Sequence, residues 1–180
     1  MNDISIQEKK NRIFALTKIH KDFPSPGLSF MDIMPIFKSP NAIQMVIDVM
    51  AADIREKGWK FDLIACIEAR GFLFGNLLAR EFKVGFVAIR EASKLPGPVF
   101  QVHTKSEFGE KDLQIQQDPE LNGKSVLIVD DLIATGGTAA GAIELLKKCG
   151  SKIVGCSFLV DVFFVQKVKE FDSDYCATFK

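Results

Sequence analysis

The sequence predicts an α/β fold: a mostly parallel central sheet with helices on both faces. Three observations predict it. Apolar runs at residues 61–67, 84–89, 126–129 and 153–160 read as buried strands. Helical patterns at 72–82 and 139–148 stand between them, and this strand–turn–helix–strand order builds a parallel sheet covered by its crossover helices. The length, 180 residues, is that of one domain with ample material for a core.

In chain order, Ser5-Ile-Gln-Glu8 has the form of a capping box. Ile6, Ile13, Leu16 and Ile19 follow at roughly helical spacing, which predicts a helix over about 6–20. Two prolines and a glycine in Asp22-Phe-Pro-Ser-Pro-Gly27 force an extended, turning segment that leads into residues 28–33. Ser39-Pro40 is an N-cap with proline at the first helical position. The stripe Ile43, Val46, Ile47, Met50 and Ile54 carries that helix to just before Gly58. Strand 61–67 runs through Glu68-Ala-Arg-Gly71 into helix 72–82 and strand 84–89. Residues 90–112 break the pattern with charges, prolines and glycines, as a functional lid or an excursion of two strands would. Residues 161–171 read as a short helix and 175–179 as a last strand. No repeat or low-complexity tract appears, so residues 1–180 are expected to form a single domain. Within it, about 1–35 would be an N-terminal helix and small hood, and about 91–112 a flexible lid.

Several classes are disfavoured. Lys plus Arg and Asp plus Glu balance at 23 each, so no global field recruits nucleic acid. The N-terminus does not read as a signal peptide. No apolar run approaches about eighteen residues, so no membrane span is expected. Cys66, Cys149, Cys156 and Cys176 lack paired spacing and read as reduced thiols of a cytoplasmic protein. His20 and His103 are isolated, and no Cys/His cluster suggests a structural zinc.

The richest stretch is residues 126–138, Val-Leu-Ile-Val-Asp-Asp-Leu-Ile-Ala-Thr-Gly-Gly-Thr. A strand ends in Asp130 and Asp131, and a loop of small and hydroxyl residues opens into a helix. Backbone N–H groups and the helix dipole there favour an anion. Gly136 and Gly137 allow close approach, and Thr135 and Thr138 add hydroxyl donors. The carboxylates would repel that anion, so they must face something else, such as vicinal ribose hydroxyls or a divalent cation. It is not a Walker A loop, because it lacks Gly-Lys-Thr and its carboxylates precede the loop. Glu68-Ala-Arg-Gly71 repeats the strand–turn–helix architecture, with Arg70 able to grip a phosphate pair and Arg90 ending the next strand. The insertion carries Lys94 and Glu107, a cation and a carboxylate suited to closing over a reacting centre.

Taken in order, Asp22-Phe-Pro-Ser-Pro-Gly27, Phe30-Met-Asp32, Glu68-Ala-Arg-Gly-Phe-Leu-Phe-Gly75, Lys94-Leu-Pro-Gly97, Glu107-Phe-Gly109 and Val129 through Thr138 resemble the adenine phosphoribosyltransferases. These belong to the type I phosphoribosyltransferase family, whose phosphoribosyl-diphosphate (PRPP) motif is matched by the run ending at Thr138. The resemblance spans roughly residues 12–162 and implies that family's fold. It also implies transfer of phosphoribose from PRPP to adenine, giving AMP and diphosphate, with Mg2+ held by PRPP and water rather than by protein ligands. Asp130 and Asp131 would hold the ribose hydroxyls, and Ala134, Thr135, Gly136, Gly137 and Thr138 the 5′-phosphate. Glu68, Ala69, Arg70 and Gly71, with Arg90 and Lys94, would line the diphosphate. Phe30 would stack on adenine, Ser29 and Met31 would offer backbone groups to its edge, and Val162 would pack on its other face. Glu107, Arg70 and Lys94 would be the catalytic residues, acting through an oxocarbenium-like transition state that needs no protein nucleophile. The resemblance further implies a homodimer, with no nucleic-acid or membrane partner.

Three residues depart from the family's common pattern. Glu91 stands where a second basic residue is usual and is expected to point away from the diphosphate. Phe108 replaces a common tyrosine, and Met31 a common arginine. Two alternatives remain at this level. A 6-oxopurine enzyme would need a lysine donor to the base, for which Lys167 and Lys169 are candidates. A ligand-sensing regulator would need a DNA-binding domain larger than the 22 residues before Phe23.

Overall fold

Ser5 starts the first helix, α1 (Ile6–Leu16), by accepting the Glu8 N–H at 3.1 Å. The computed structural model describes residues 4–23, 29–106, 109–162 and 165–180. They fall into two compact units, Met1–Ala52 and Asp53–Lys180.

In the first unit α1 is shorter than the expected 6–20. Thr17 is extended, and both its N–H and its hydroxyl donate to the Phe14 carbonyl, which closes the helix. Leu16 and Ile19, read at helical spacing, are exposed, and Ile19 lies in strand β1 (Lys18–Lys21). β1 pairs antiparallel with β2 (Ser29–Asp32). The segment after the prolines is thus the return strand of a hairpin. A 3₁₀ turn, Met34–Lys38, follows, opened by Asp32 Oδ1 accepting the Met34 N–H at 2.9 Å. Helix α2 (Pro40–Glu56) begins as expected, with the Ala42 N–H donating to Ser39 Oγ. Lys9 of α1 reaches Asp48 of α2 at 2.7 Å.

The second unit is built on β3 (Leu63–Ile67), α3 (Gly71–Phe82), β4 (Gly85–Glu91), β5 (Val99–Ser106), β6 (Gly109–Gln116), β7 (Ser125–Ile133), α4 (Gly137–Lys148), β8 (Lys152–Asp161) and β9 (Tyr175–Phe179). The sheet order is β5-β6-β4-β3-β7-β8-β9. The five strands β4-β3-β7-β8-β9 are parallel, and β5 and β6 add an antiparallel edge. The insertion expected over 90–112 therefore takes its two-strand form and runs on to Gln116.

Alternation along the strands sorts the helices. Ala65 and Ile67 of β3 join Val126 and Ile128 of β7 in one cluster with Ala142, Ile143 and Leu146 of α4. Ile64 and Cys66 point the other way, where Gly75 brings α3 so close that a Cβ there would overlap the Cys66 thiol. Helices thus cover both faces, as the sequence predicts.

Two boundaries differ from expectation. β7 runs past the carboxylates to Ile133, because β8 pairs with it as far as Ile133↔Asp161. The short helix expected over 161–171 is absent among the described residues. β8 takes Asp161, the Val162 N–H donates to Ile133 O at the end of β7 and the Val168 N–H to Thr135 O in the loop after it, while the Val165 and Phe171 N–H groups close single turns on Val162 O and Val168 O, so no helical ladder forms.

Candidate active site

The chain leaves β3, crosses by α3 to β4 on one side and later returns to β7 on the other. β3 and β7 therefore flank the point where the winding reverses, and open α/β sheets bind ligands beyond such strand ends. Their last paired residues are Cys66 and Val129. Past this pair the Glu68–Arg70 turn and the Asp130–Ala139 run line one pocket.

Gly71 makes that approach possible. A Cβ there would stand 2.8 Å from the Val129 carbonyl oxygen and 3.0 Å from Asp130 Oδ1. It packs one turn closely against the other. The Glu68–Ala69 peptide is cis.

The two turns share charges. Arg70 Nε lies 2.9 Å from Asp131 Oδ2, and the Asp131 N–H donates to Asp130 Oδ1 at 2.9 Å. Burial raises the Asp130 carboxyl well above its usual range, and the adjacent Asp131 charge raises it further. Burial also raises Asp131, against the pull of Arg70. Glu68 behaves oppositely. Burial would raise it, but Arg90, Lys94 and the Glu91 N–H all donate to it and hold its pKa at about 2. Arg90 also donates to the Lys94 carbonyl at 3.1 Å. Arg90 and Lys94 thus meet the site through Glu68. Glu91 does not simply turn away: its carboxylate holds Lys94 at 3.0 Å and approaches Lys111 at 3.8 Å.

On the β7 side, Gly136 is the N-cap of α4 in the left-handed region, φ 82°, which favours glycine. Ala134, Gly136, Gly137 and Thr138 line the pocket and bring to its wall first-turn amides that have no intrahelical acceptor. Thr135 faces the loop itself: its Oγ1 is 3.5 Å from the Gly137 N–H, and its carbonyl accepts from Val168.

Besides Leu132, Ile133 and Ala139 in and beside the 126–138 run, sequence reasoning missed two lining residues. Phe158 stands opposite Asp130 in the β7–β8 register, and Lys111 lies on β6. Neither belongs to a motif; only strand register brings them here. Val162 follows β8 with its N–H on Ile133 O, next to the pocket wall. Ser29, Phe30 and Met31 lie in β2 of the first unit, where the Phe30 ring meets Phe23 edge-on at 5.4 Å. Glu107 and Phe108 lie outside the described residues. Lys167, a candidate donor to a 6-oxo base, is held by the buried Asp161 at 2.8 Å, and Tyr175 donates to that carboxylate's other oxygen at 2.9 Å.

Among the described residues no group of three or more His, Cys, Asp or Glu could hold a metal ion, and no helix is long and apolar enough to cross a membrane.

Residues 36–179 match the phosphoribosyl transferase domain family. Adenine phosphoribosyltransferase of Debaryomyces hansenii is 41% identical over 165 residues, 92% of this chain and 88% of its own. The chain belongs to the adenine phosphoribosyltransferase family. Solved structures of the family agree. The adenine phosphoribosyltransferase of Thermoanaerobacter pseudethanolicus superposes with a TM-score of 0.88 at 38% identity, covering 95% of this chain and 99% of that one. That of Saccharomyces cerevisiae, solved with an imino-altritol bisphosphate and adenine, gives 0.87 at 34% identity, covering 96% and 99%. The chain is therefore a phosphoribosyltransferase enzyme with that family's sheet.

Proposed function

We propose that this pocket transfers the 5-phosphoribosyl group of PRPP to adenine, giving AMP and diphosphate in purine salvage. The observation that carries it is the junction of two anion-binding turns across the β3–β7 reversal, with a carboxylate pair between them. Ribose hydroxyls donate to Asp130 and Asp131, while the first turn of α4 and its loop, Ala134 to Thr138, take the 5′-phosphate. Glu68, Ala69, Arg70 and Gly71 form the diphosphate side, with Arg90 and Lys94 passing from Glu68 to the ligand. Ser29, Phe30, Met31 and Val162 contact the base. Adenine complexed in the yeast relative supports that choice of base, and so does the engagement of Lys167 by Asp161, which occupies a candidate donor to a 6-oxo group.

The C–O bond from the anomeric carbon to diphosphate breaks, the bond to N9 forms, and the N9 proton is released. Charge builds on the leaving diphosphate and at the anomeric carbon. Arg70 and Lys94 neutralise the first, and exclusion of water protects the second. Among the described residues the pocket's carboxylates are Glu68, Asp130 and Asp131, and cations already engage Glu68 and Asp131. This donor set fits an Mg2+ bound chiefly by PRPP oxygens and water, where it would screen diphosphate charge. Glu107 handles a purine ring proton when the β5–β6 tip closes as a lid over a single-domain, cytoplasmic, homodimeric enzyme.

Purified protein with Mg2+ and PRPP should make AMP from adenine and leave hypoxanthine and guanine unused. Comparable turnover of hypoxanthine would overturn the base assignment, and PRPP binding without turnover of any base would favour a sensor. Glu107→Gln should lower single-turnover rates by roughly a hundredfold while PRPP affinity changes little. An equal loss in both would remove Glu107 from the chemical step.

A further inference from the structure

Lys111 is the pocket cation that no motif explains. It lines the wall with Arg70, but its ion pair is much looser than those of its neighbours. Arg70 lies 2.9 Å from Asp131, and Lys94 lies 3.0 Å from both Glu68 and Glu91. The Lys111 ammonium stands 3.8 Å from Glu91, a carboxylate already taken by Lys94, and both side chains are partly exposed. Such a pair costs little to separate.

The backbone beneath it is firm. Lys111 pairs with Thr104 in the β5–β6 register, and the buried Thr104 hydroxyl donates to the Lys111 carbonyl at 2.8 Å. Lys111, Leu113 and Ile115 share one face of β6, and the latter two pack in the core cluster with α4. That face directs Lys111 towards α4, while Glu91 draws it towards β4. It lines the same pocket as the first turn of α4 and the Glu68–Arg70 turn.

We propose that Lys111 binds a phosphate oxyanion of the substrate or product, rooted on the hairpin's return strand and released from Glu91 by the ligand. This rests on the reading of the pocket as a PRPP site. It gives the diphosphate or the 5′-phosphate a cation whose recruitment breaks no short ion pair.

Calorimetric titration of the full chain with diphosphate and, separately, with AMP tests it. Lys111→Met keeps the stem and removes the charge. It should weaken one or both ligands by roughly five- to tenfold, and the loss should shrink as salt rises from about 0.05 to 0.5 M. Lys111→Arg should retain most of the affinity, separating charge from packing. Loss on diphosphate alone, on AMP alone or on both assigns the phosphate concerned. Wild-type affinity for both ligands in Lys111→Met, or a loss that Lys111→Arg does not rescue, overturns the proposal. Wild type that binds both ligands yet turns over no base would defeat the transferase reading and leave this comparison valid. Wild type that binds neither would defeat both.

Discussion

Replacing Asp130 and Asp131 together by asparagine will leave a folded protein that has almost lost the use of PRPP. Each carboxylate offers ribose a charge-assisted acceptor, and one such hydrogen bond contributes about 1.5–3 kcal/mol. Losing both should lower kcat/KM for PRPP by roughly a hundred- to ten-thousand-fold. Stability should move the other way. The folded chain raises the Asp130 carboxyl above its ordinary 3.8 through burial and the neighbouring charge. A raised carboxyl binds more protons folded than unfolded, so its favourable contribution is complete below the unfolded value and lost as pH rises through the folded one. At neutral pH the wild type carries that loss and the asparagine variant does not. Its melting temperature without ligand should equal or exceed that of wild type, by about 2–4 °C for each kcal/mol recovered. Steady-state kinetics and calorimetry check the two halves. Unchanged kinetics would remove the pair from the ribose site, and a large fall in melting temperature would contradict its strained electrostatics.

The second large effect is expected at Gly71, where alanine changes one atom group. Its Cβ would meet the Val129 carbonyl oxygen at 2.8 Å and Asp130 Oδ1 at 3.0 Å. The first is backbone and the second is held by the Asp131 N–H, so the Glu68–Arg70 turn must back away from β7. Overpacking of this kind costs about 1–3 kcal/mol. Displacement by a fraction of an ångström also parts Arg70 from the position it holds beside Asp131, and misplacement of about 1 Å can cost a hundredfold in rate. Gly71→Ala should therefore lose more in turnover than its stability loss explains. Gly85→Ala is the control: its Cβ would meet only a terminal methyl of Leu63, at 3.1 Å. If Gly71→Ala matched that control in both melting temperature and kcat, the tight junction of the two turns would have no functional weight.

What could be read in the sequence was what is local in it. The run ending in Thr138 carries its strand, its carboxylates and its helix start in thirteen consecutive residues, so adjacency alone assembles most of one pocket wall. Glu68-Ala-Arg-Gly71 was legible for the same reason, although the packing of Gly71 against Val129 was not, since Val129 is far away in sequence. Lys111 and Phe158 depend on how strands slide past one another, and no spacing within β6 or β8 records that. The first helix was overextended because Leu16 and Ile19 copy helical spacing while serving the end of α1 and a hairpin strand. The 161–171 stretch misled for a different reason: the Val162 and Val168 N–H groups donate to Ile133 and Thr135 of another segment, which leaves only isolated turns at Val165 and Phe171.

The way Glu68 and Asp131 hold their cations also bears on which anions can enter. Arg90 and Lys94 rest on Glu68, and Arg70 on Asp131. A small anion that parts one of these short couples would leave a carboxylate without its cation. A ligand long enough to reach several cations at once recovers more than it disrupts, and in the proposed site its ribose hydroxyls would take over Asp131. On the proposed PRPP reading, these internal couples would favour a ligand that reaches several cations over a single phosphate that reaches one.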